Sequence, residues 1–454
     1  MNSSTYKYID DNFNQTISDL KRLVAQPSIS AQKVGITECA EMVAEELTNA
    51  GLIAKILPTS DPAYPVVIAE TPDADSEKTL LFYNHYDVQP PDPLDEWESP
   101  PFEPFEKNGY IFGRGISDDK GPFIARLAAI KALPATTGLP PLKIRFCLEG
   151  AEEIGSPGFH EFLEQNKNLL KSDACIWEGG GVNWDGRPLI TLGVKGLLYV
   201  ELECRAASRD SHSSYAPTVP NPAWRLIWAL SSIKGIDEKI NIRGFYDKIR
   251  PPLQAEIDAL NSLPDTDSEF KKDLGVEVAL GEATGFEFRR RMIMDPTCNV
   301  AGIVGGYIGQ GAKTILPATA KVKVDFRLVP DQDPKDVLNG LRQHLDENGF
   351  SDISINVFTS QHPSRTPLED PFVNLVASTA ETVYGSKPYI QPSMTGTGPQ
   401  YPVQHILGVP VASCGIDYPG NRIHAPNENI NLDYFKLGIM HTAELINQFG
   451  SLGK

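Results

Sequence analysis

The chain has 454 residues, 41% hydrophobic and 22% charged, with 41 basic and 59 acidic side chains and a net charge of −18. This is two or three domains' worth of ordinary globular composition, which excludes disordered and collagen-like chains. The acidic balance argues against nucleic-acid and anionic-membrane partners, and no apolar run reaches the ~18 residues of a membrane span.

The N-terminal MNSSTYKYIDDNFNQ is too polar for a signal peptide. Six cysteines, at 39, 147, 175, 204, 298 and 414, are far apart and form no CxxC pair. They read as reduced core residues, and the expected location is the cytoplasm.

Ile9, Phe13, Ile17, Leu20 and Val24 recur at helical spacing until Pro27, which predicts one helix. A second runs from near Thr37 to Gly51. PVVIAE (65–70), TLLFYN (79–84), KIRFCLE (143–149) and DACIWE (173–178) are short apolar strands, with a helical pattern after Gly121. This alternation predicts an α/β fold with a mainly parallel sheet covered on both faces.

From Val194 the pattern changes. GLLYVELECRA and AKVKVDFRLV alternate at period two, like half-exposed strands. A second, α+β domain is expected over 194–358, with an insertion near 245–295. After Pro363 the first pattern returns, with a strand at 409–416 and a closing helix at 432–449. The first domain would then have two parts, 1–193 and 359–454.

Five strand-exit segments carry metal-type or proton-transfer side chains. NHYDVQP (84–90) places His85 and Asp87 two apart, on one side of an extended chain. A metal-bound His commonly donates its other ring N–H to a carboxylate or carbonyl. GRGISDDKG (113–121) holds Asp118 and Asp119 among glycines. Two adjacent acids cannot both sit dry and charged without a cation. EGAEEIGS (149–156) offers Glu152 and Glu153, which would point apart on an extended exit, one to a metal and one to substrate. CIWEGG (175–180) ends in Glu178, and NRIHAPNE (421–428) contains His424. Any one segment alone reads more readily as a polar strand exit or solvated turn. Five together, all at strand ends where open α/β sheets bind ligands, favour a site. Two histidines and three carboxylates suit two divalent ions, Zn²⁺ with Mn²⁺ or Co²⁺ as alternatives.

In this order the segments resemble the co-catalytic dinuclear metallopeptidase family. That family includes carboxypeptidase G, acetylornithine deacetylase, succinyl-diaminopimelate desuccinylase, aminoacylase and the carnosinase-type dipeptidases. The wording HYDVQP, with GGYIGQGAKTILP (305–317) and DFRLVPDQDP (325–334), leans toward the carnosinase and cytosolic dipeptidase branch. Glu178 precedes three glycines, unlike the Pro-Thr of deacetylases or the Asp-Asn of carnosinases. An acid there argues against the carbamoylase branch, where a His is expected.

The resemblance implies that His85 and Glu178 bind one ion, that Glu153 and His424 bind the other, and that Asp118 bridges them. Asp87 would orient His85, Glu152 would be the general base, and the Asp118–Asp119 peptide would be cis. The inserted domain would be a lid and a homodimer interface. His212, in RDSHSSYAP, would reach the partner's site. Arg327 would hold a substrate carboxylate, against the simpler reading of an Arg paired with Asp325 or Asp331. Gly396, in SMTGTGP (393–399), would contact substrate. The other histidines, 160, 344, 362, 405 and 441, read as structural.

The expected activity is hydrolysis of a dipeptide or short peptide with a free C-terminal carboxylate. An N-acyl-amino-acid deacylase is the alternative, and a non-catalytic homologue ranks third.

Overall fold

The computed structural model describes residues 3–72, 78–138 and 142–451. The first helical pattern is two helices, Ser3–Asp11 and Phe13–Val24, not one. They part at Asn12, whose side-chain amide donates to the Tyr8 carbonyl at 2.8 Å. An Asn side chain that competes for backbone groups weakens a helix interior.

One six-stranded sheet carries most of the first domain. Its order is Ile53–Leu57, Val66–Glu70, Lys143–Glu149, Thr79–His85, Ala174–Trp177 and Val411–Ser413. Strand 79–85 pairs in parallel with 143–149 and 174–177, and 411–413 joins 174–177 in parallel. Strands 53–57 and 66–70 add an antiparallel edge. Strand 53–57 gave no signal in the sequence, because it is short and mostly exposed.

Both faces of the sheet are covered, as the unbroken apolar runs require. Leu80 and Phe82 pack into a cluster with Phe123, Ile130, Phe435 and Ile439. Their neighbours Leu81 and Tyr83 pack into a second cluster with Phe159, Phe162 and Val403. The helices Lys120–Thr136 and Leu432–Ser451 lie on the first face, and Phe159–Asn166 and Gln400–Leu407 on the second.

A second sheet is antiparallel, ordered Asn299–Gly305, Thr319–Leu328, Gly196–Arg205, Ile353–Gln361. One face is buried: Leu198, Val200, Leu202, Val322, Val324 and Phe326 pack against Leu226 and Leu341 of the helices Pro222–Ile233 and Pro334–Glu347. The other face stays half-exposed, as period-two alternation predicts. The stretch near 245–295 is largely helical, with Gln254–Ser262, Asp267–Leu274 and Gly285–Met294. Among the described residues no helix is long and apolar enough to cross a membrane.

Glycines let two loops of the first domain touch. Asp417 N–H donates to Gly180 O at 2.9 Å, and Val182 N–H donates to Asp417 O at 2.8 Å. A Cβ on Gly415 would lie 2.3 Å from Gly179 O and 2.5 Å from Gly180 O. The chain leaving Glu178 is thereby held against the chain leading to His424. Gly415→Ala should therefore destabilise the protein by about 1–3 kcal/mol in denaturant unfolding, the usual cost of overpacking. Unchanged stability would mean that the two loops are not in such close contact.

Candidate active site

Strand 79–85 delivers His85, 1% exposed, at its carboxyl end. Its Nε2 lies 2.9 Å from Asp118 Oδ1 and 3.8 Å from Glu178 Oε2. His424 Nε2 lies 2.9 Å from Asp118 Oδ2 and 3.0 Å from Glu153 Oε2. The Asp118 carboxylate therefore stands between two imidazoles, one oxygen toward each. Ligand atoms fall into two groups, each within 4.8 Å: His85, Asp119 and Glu178; and Asp118, Glu153 and His424.

Asp87 does more than the sequence suggested. His85 Nδ1 faces the Asp87 backbone oxygen at 3.0 Å and its Oδ1 at 3.4 Å, which leaves Nε2 for a ligand role. The two Asp87 carboxylate oxygens also accept the N–H groups of Glu152 and Glu153, both at 3.1 Å. These glutamates lie on a 3₁₀ turn, Glu152–Ile154, not on the extended exit expected. The turn still separates them. Glu153 Oε2 faces His424 and accepts from Gln89 Nε2 at 2.9 Å. Glu152 Oε1 would lie 3.5 Å from a Cβ placed on Gly398, as would Glu178 Oε1.

The Asp118–Asp119 peptide is cis. Asp119 turns inward, where its Oδ2 accepts from Asn84 Nδ2 at 2.6 Å and from His85 N–H at 3.2 Å. Beneath it lies Arg126, fully buried. Its Nη1 donates to Tyr83 O and Asn84 Oδ1, and its Nη2 to Trp177 O, each at 2.5 Å. One guanidinium thus ties the ends of the strands that carry His85 and Glu178.

The residues fit divalent cations. Among the described residues, Glu178 Oε2 and Asp119 Oδ1 are buried without a hydrogen-bond partner. Buried carboxylate oxygens are ordinarily paired, and a cation would pair these. The donors are nitrogen and oxygen without sulfur, a set that suits Zn²⁺, Mn²⁺ or Co²⁺.

Electrostatics agree. Burial pushes the Glu152 carboxyl well above its usual range; the charges of Glu153, Asp118 and Asp87 add to this, against an opposing His85. Burial and the Glu152 charge do the same to Glu178, and burial lifts Asp119 to about 7. Burial disfavours the charged His424 ring, but hydrogen bonds to Asp118 and Glu153 outweigh it and lift it to about 10. Asp118 moves the opposite way: burial would raise it, and hydrogen bonds from His424 and His85 hold it low. Such crowding of acids calls for positive charge.

The remaining candidates are spread around this centre. Arg327 Nη1 donates to Thr397 Oγ1 at 2.6 Å, and neither Asp325 nor Asp331 takes it. Asp325 instead accepts from Asn299 at 2.8 Å. Gly396 O accepts the Lys195 N–H at 2.9 Å, so Gly398, two residues on, is the glycine facing the carboxylates. The loop 393–399 thus runs from Arg327 to Glu152. His212 is exposed. Its Nδ1 accepts from Ser214 N–H at 3.2 Å, and within one chain it is not among the residues around Asp118.

Sequence reasoning did not assign Asn84, Arg126, Asp417 or Glu428. Asp417 Oδ1 accepts from Ser117 Oγ at 2.7 Å, next to Asp118 in the chain.

The model of "Peptidase family M20/M25/M40" matches residues 81–448. The chain belongs to this family. It is similar to the Cys-Gly metallodipeptidase dug1 of Schizosaccharomyces pombe, with 28% identity over 98% of both chains. It is also similar to the Beta-Ala-His dipeptidase of Mus musculus, with 27% identity over 94% of this chain and 91% of that one. Among solved structures, the M20 family metallo-carboxypeptidase Sso-CP2 from Sulfolobus solfataricus superposes with a TM-score of 0.92. The two are 39% identical, over 96% of this chain and 99% of that one.

This M20 chain is therefore a hydrolase, a metallopeptidase, and divalent ions belong to its chemistry. Ion binding should also show in its stability. Zn²⁺ at about 100 times its Kd should stabilise the ion-free protein by about 2.7 kcal/mol. Unfolding with and without a chelator measures this, and Asp118→Ala should lose most of the gain. A chelator-insensitive wild type would refute the assignment.

Proposed function

We propose that the chain is a metallo-dipeptidase or carboxypeptidase that cleaves the amide bond of a dipeptide or short peptide with a free C-terminal carboxylate. The observation that carries this is the single Asp118 carboxylate placed between His85 and His424, with Glu152 beside it. In this reading His85 and Glu178 hold one divalent ion, Glu153 and His424 hold a second, and Asp118 serves both. Zn²⁺ is the proposed ion, with Mn²⁺ or Co²⁺ as alternatives.

Bound ions of this kind lower the pKa of water and polarise a carbonyl. The chain's own residues do the rest. Asp87 fixes the His85 ring and the Glu152–Glu153 turn. Glu152 takes the proton of the attacking water and passes it to the leaving amine nitrogen. Arg327, already against the 393–399 loop, holds the substrate carboxylate through its fork of N–H donors. Gly396 and its neighbours shape the wall of the site.

The chain divides as a catalytic unit, 1–193 and 359–454, and an inserted lid, 194–358. The proposed assembly is a homodimer through the lid, with His212 serving the partner's site. In support, strand 299–305 is an edge with Ile303 60% exposed, and Trp224 and Trp228 stack on the surface 5.9 Å apart. A cytoplasmic setting fits six free, buried cysteines. Neither nucleic acid nor membrane is proposed as a partner.

Glu152→Gln should keep its ions and lose about 10²–10⁴-fold in kcat on dipeptides. Near-wild-type kcat would remove Glu152 from the role. Arg327→Met should cut kcat/KM by about 10–100-fold, the worth of a charged hydrogen bond. C-terminally amidated peptides, which lack the carboxylate, should be slow for wild type and little changed by the substitution. An equal loss on both substrates would argue against carboxylate recognition.

A further inference from the structure

Glu428 lies four residues after His424 and is 1% exposed. Its Oε2 accepts from Arg114 Nη1 at 2.8 Å and from Gly115 N–H at 2.9 Å. Its Oε1 accepts from Ser117 N–H at 2.9 Å and from Asp118 N–H at 3.1 Å. Its backbone oxygen takes the Gly113 N–H at 2.9 Å. A carboxylate has about four lone-pair sites, and here all four are used. Glu428 therefore has no capacity left to hold an ion. It holds the loop that carries Asp118.

The geometry makes this loop and the His424 segment one unit. Residues 113–118 have little regular structure of their own, and their N–H groups need acceptors. The 421–428 segment is tightly wound, with Arg422, His424 and Asn427 at φ 57, 62 and 63°. Asn427 pins it further, its Oδ1 accepting from Glu98 N–H at 2.8 Å and its Nδ2 donating to Glu96 O at 2.9 Å. Without the Glu428 carboxylate, the Asp118 amide and the His424 segment would lose their shared anchor.

We infer that Glu428 is a positioning residue that sets His424 against Asp118, and that it thereby sets the divalent-ion affinity of the Asp118–Glu153–His424 group. The inference rests on the reading that this group holds one of two ions. It predicts a selective effect. The His85–Glu178 side is held by other means, through Arg126, Asn84 and Asp119.

Two variants separate position from charge. Glu428→Asp keeps the charge and the Arg114 partner but is one methylene too short to span all four donors. Glu428→Gln keeps the length and removes the charge and half of the acceptors. Ion-free proteins are titrated with Mn²⁺ against a chromophoric chelator, and paired ions are followed by electron paramagnetic resonance. Both variants should bind one Mn²⁺ about 10–100-fold more weakly, the usual effect of losing an outer-shell partner, and the other, which shares Asp118, with a clearly smaller loss. The spin-coupled pair signal should give way to that of isolated Mn²⁺. Circular dichroism reports folding; if Glu428→Gln does not fold, Glu428→Asp decides alone.

Wild-type affinity at both positions, or equal weakening at both, would overturn the inference. His424→Ala is the control for the parent reading. If it loses one ion while the Glu428 variants lose none, only the role of Glu428 falls. If it too binds two ions normally, the assignment of the ligand group falls as well.

Discussion

The carboxylate of Asp118 lies 2.9 Å from each of two imidazoles, and everything near it is arranged around that contact. Glu152, Glu153, Glu178 and Asp119 crowd the same few ångströms at the carboxyl end of one sheet. Acids this close and this buried repel one another and resist ionisation. A cation turns that cost into binding energy. The constraint is therefore electrostatic first. The fold has to hold this much negative charge in one place, at ligand distance.

It does so with buried polar supports that never reach the solvent. Arg126 binds the ends of two strands, so His85 and Glu178 keep their spacing. Asp87 accepts both amides of the Glu152–Glu153 turn, from which the two carboxylates face different ways. Glu428 gathers the amides of Gly115, Ser117 and Asp118 itself. Close backbone contact at Gly180 and Gly415 brings the Glu178 exit to the His424 loop. Each support joins elements far apart in the chain, so the site rests on tertiary contacts and not on any one segment.

That separation also decides what could be read in the sequence. The strands bearing His85, Glu178 and the Glu152–Glu153 pair were legible, because continuous apolar runs followed by acids or histidine are local patterns. The second, antiparallel sheet was legible from its period-two alternation. Arg126 was not. It lies in an apolar helical pattern and looks like any helix-face arginine until the strand ends reach it. Glu428 bonds Asp118 across 310 positions, and no local spacing signals that. Asp119 was noted as an acid, but its inward turn beneath His85 depends on Asn84 and on the loop geometry. Within the 393–399 loop it is Gly398 that lies against Glu152 and Glu178, and motif position alone did not single it out. Asn12 split a helix whose apolar spacing runs on unbroken.

The most direct test of the account is anomalous diffraction from crystals of the ion-loaded protein, recorded at the absorption edge of the ion. The account predicts two peaks per chain, one on each side of the Asp118 carboxylate, each about 2.0–2.2 Å from its oxygen and imidazole ligands. One peak should contact His85 and Glu178, the other Glu153 and His424. A single peak, or peaks that leave Asp118 out of contact with either ion, would contradict it.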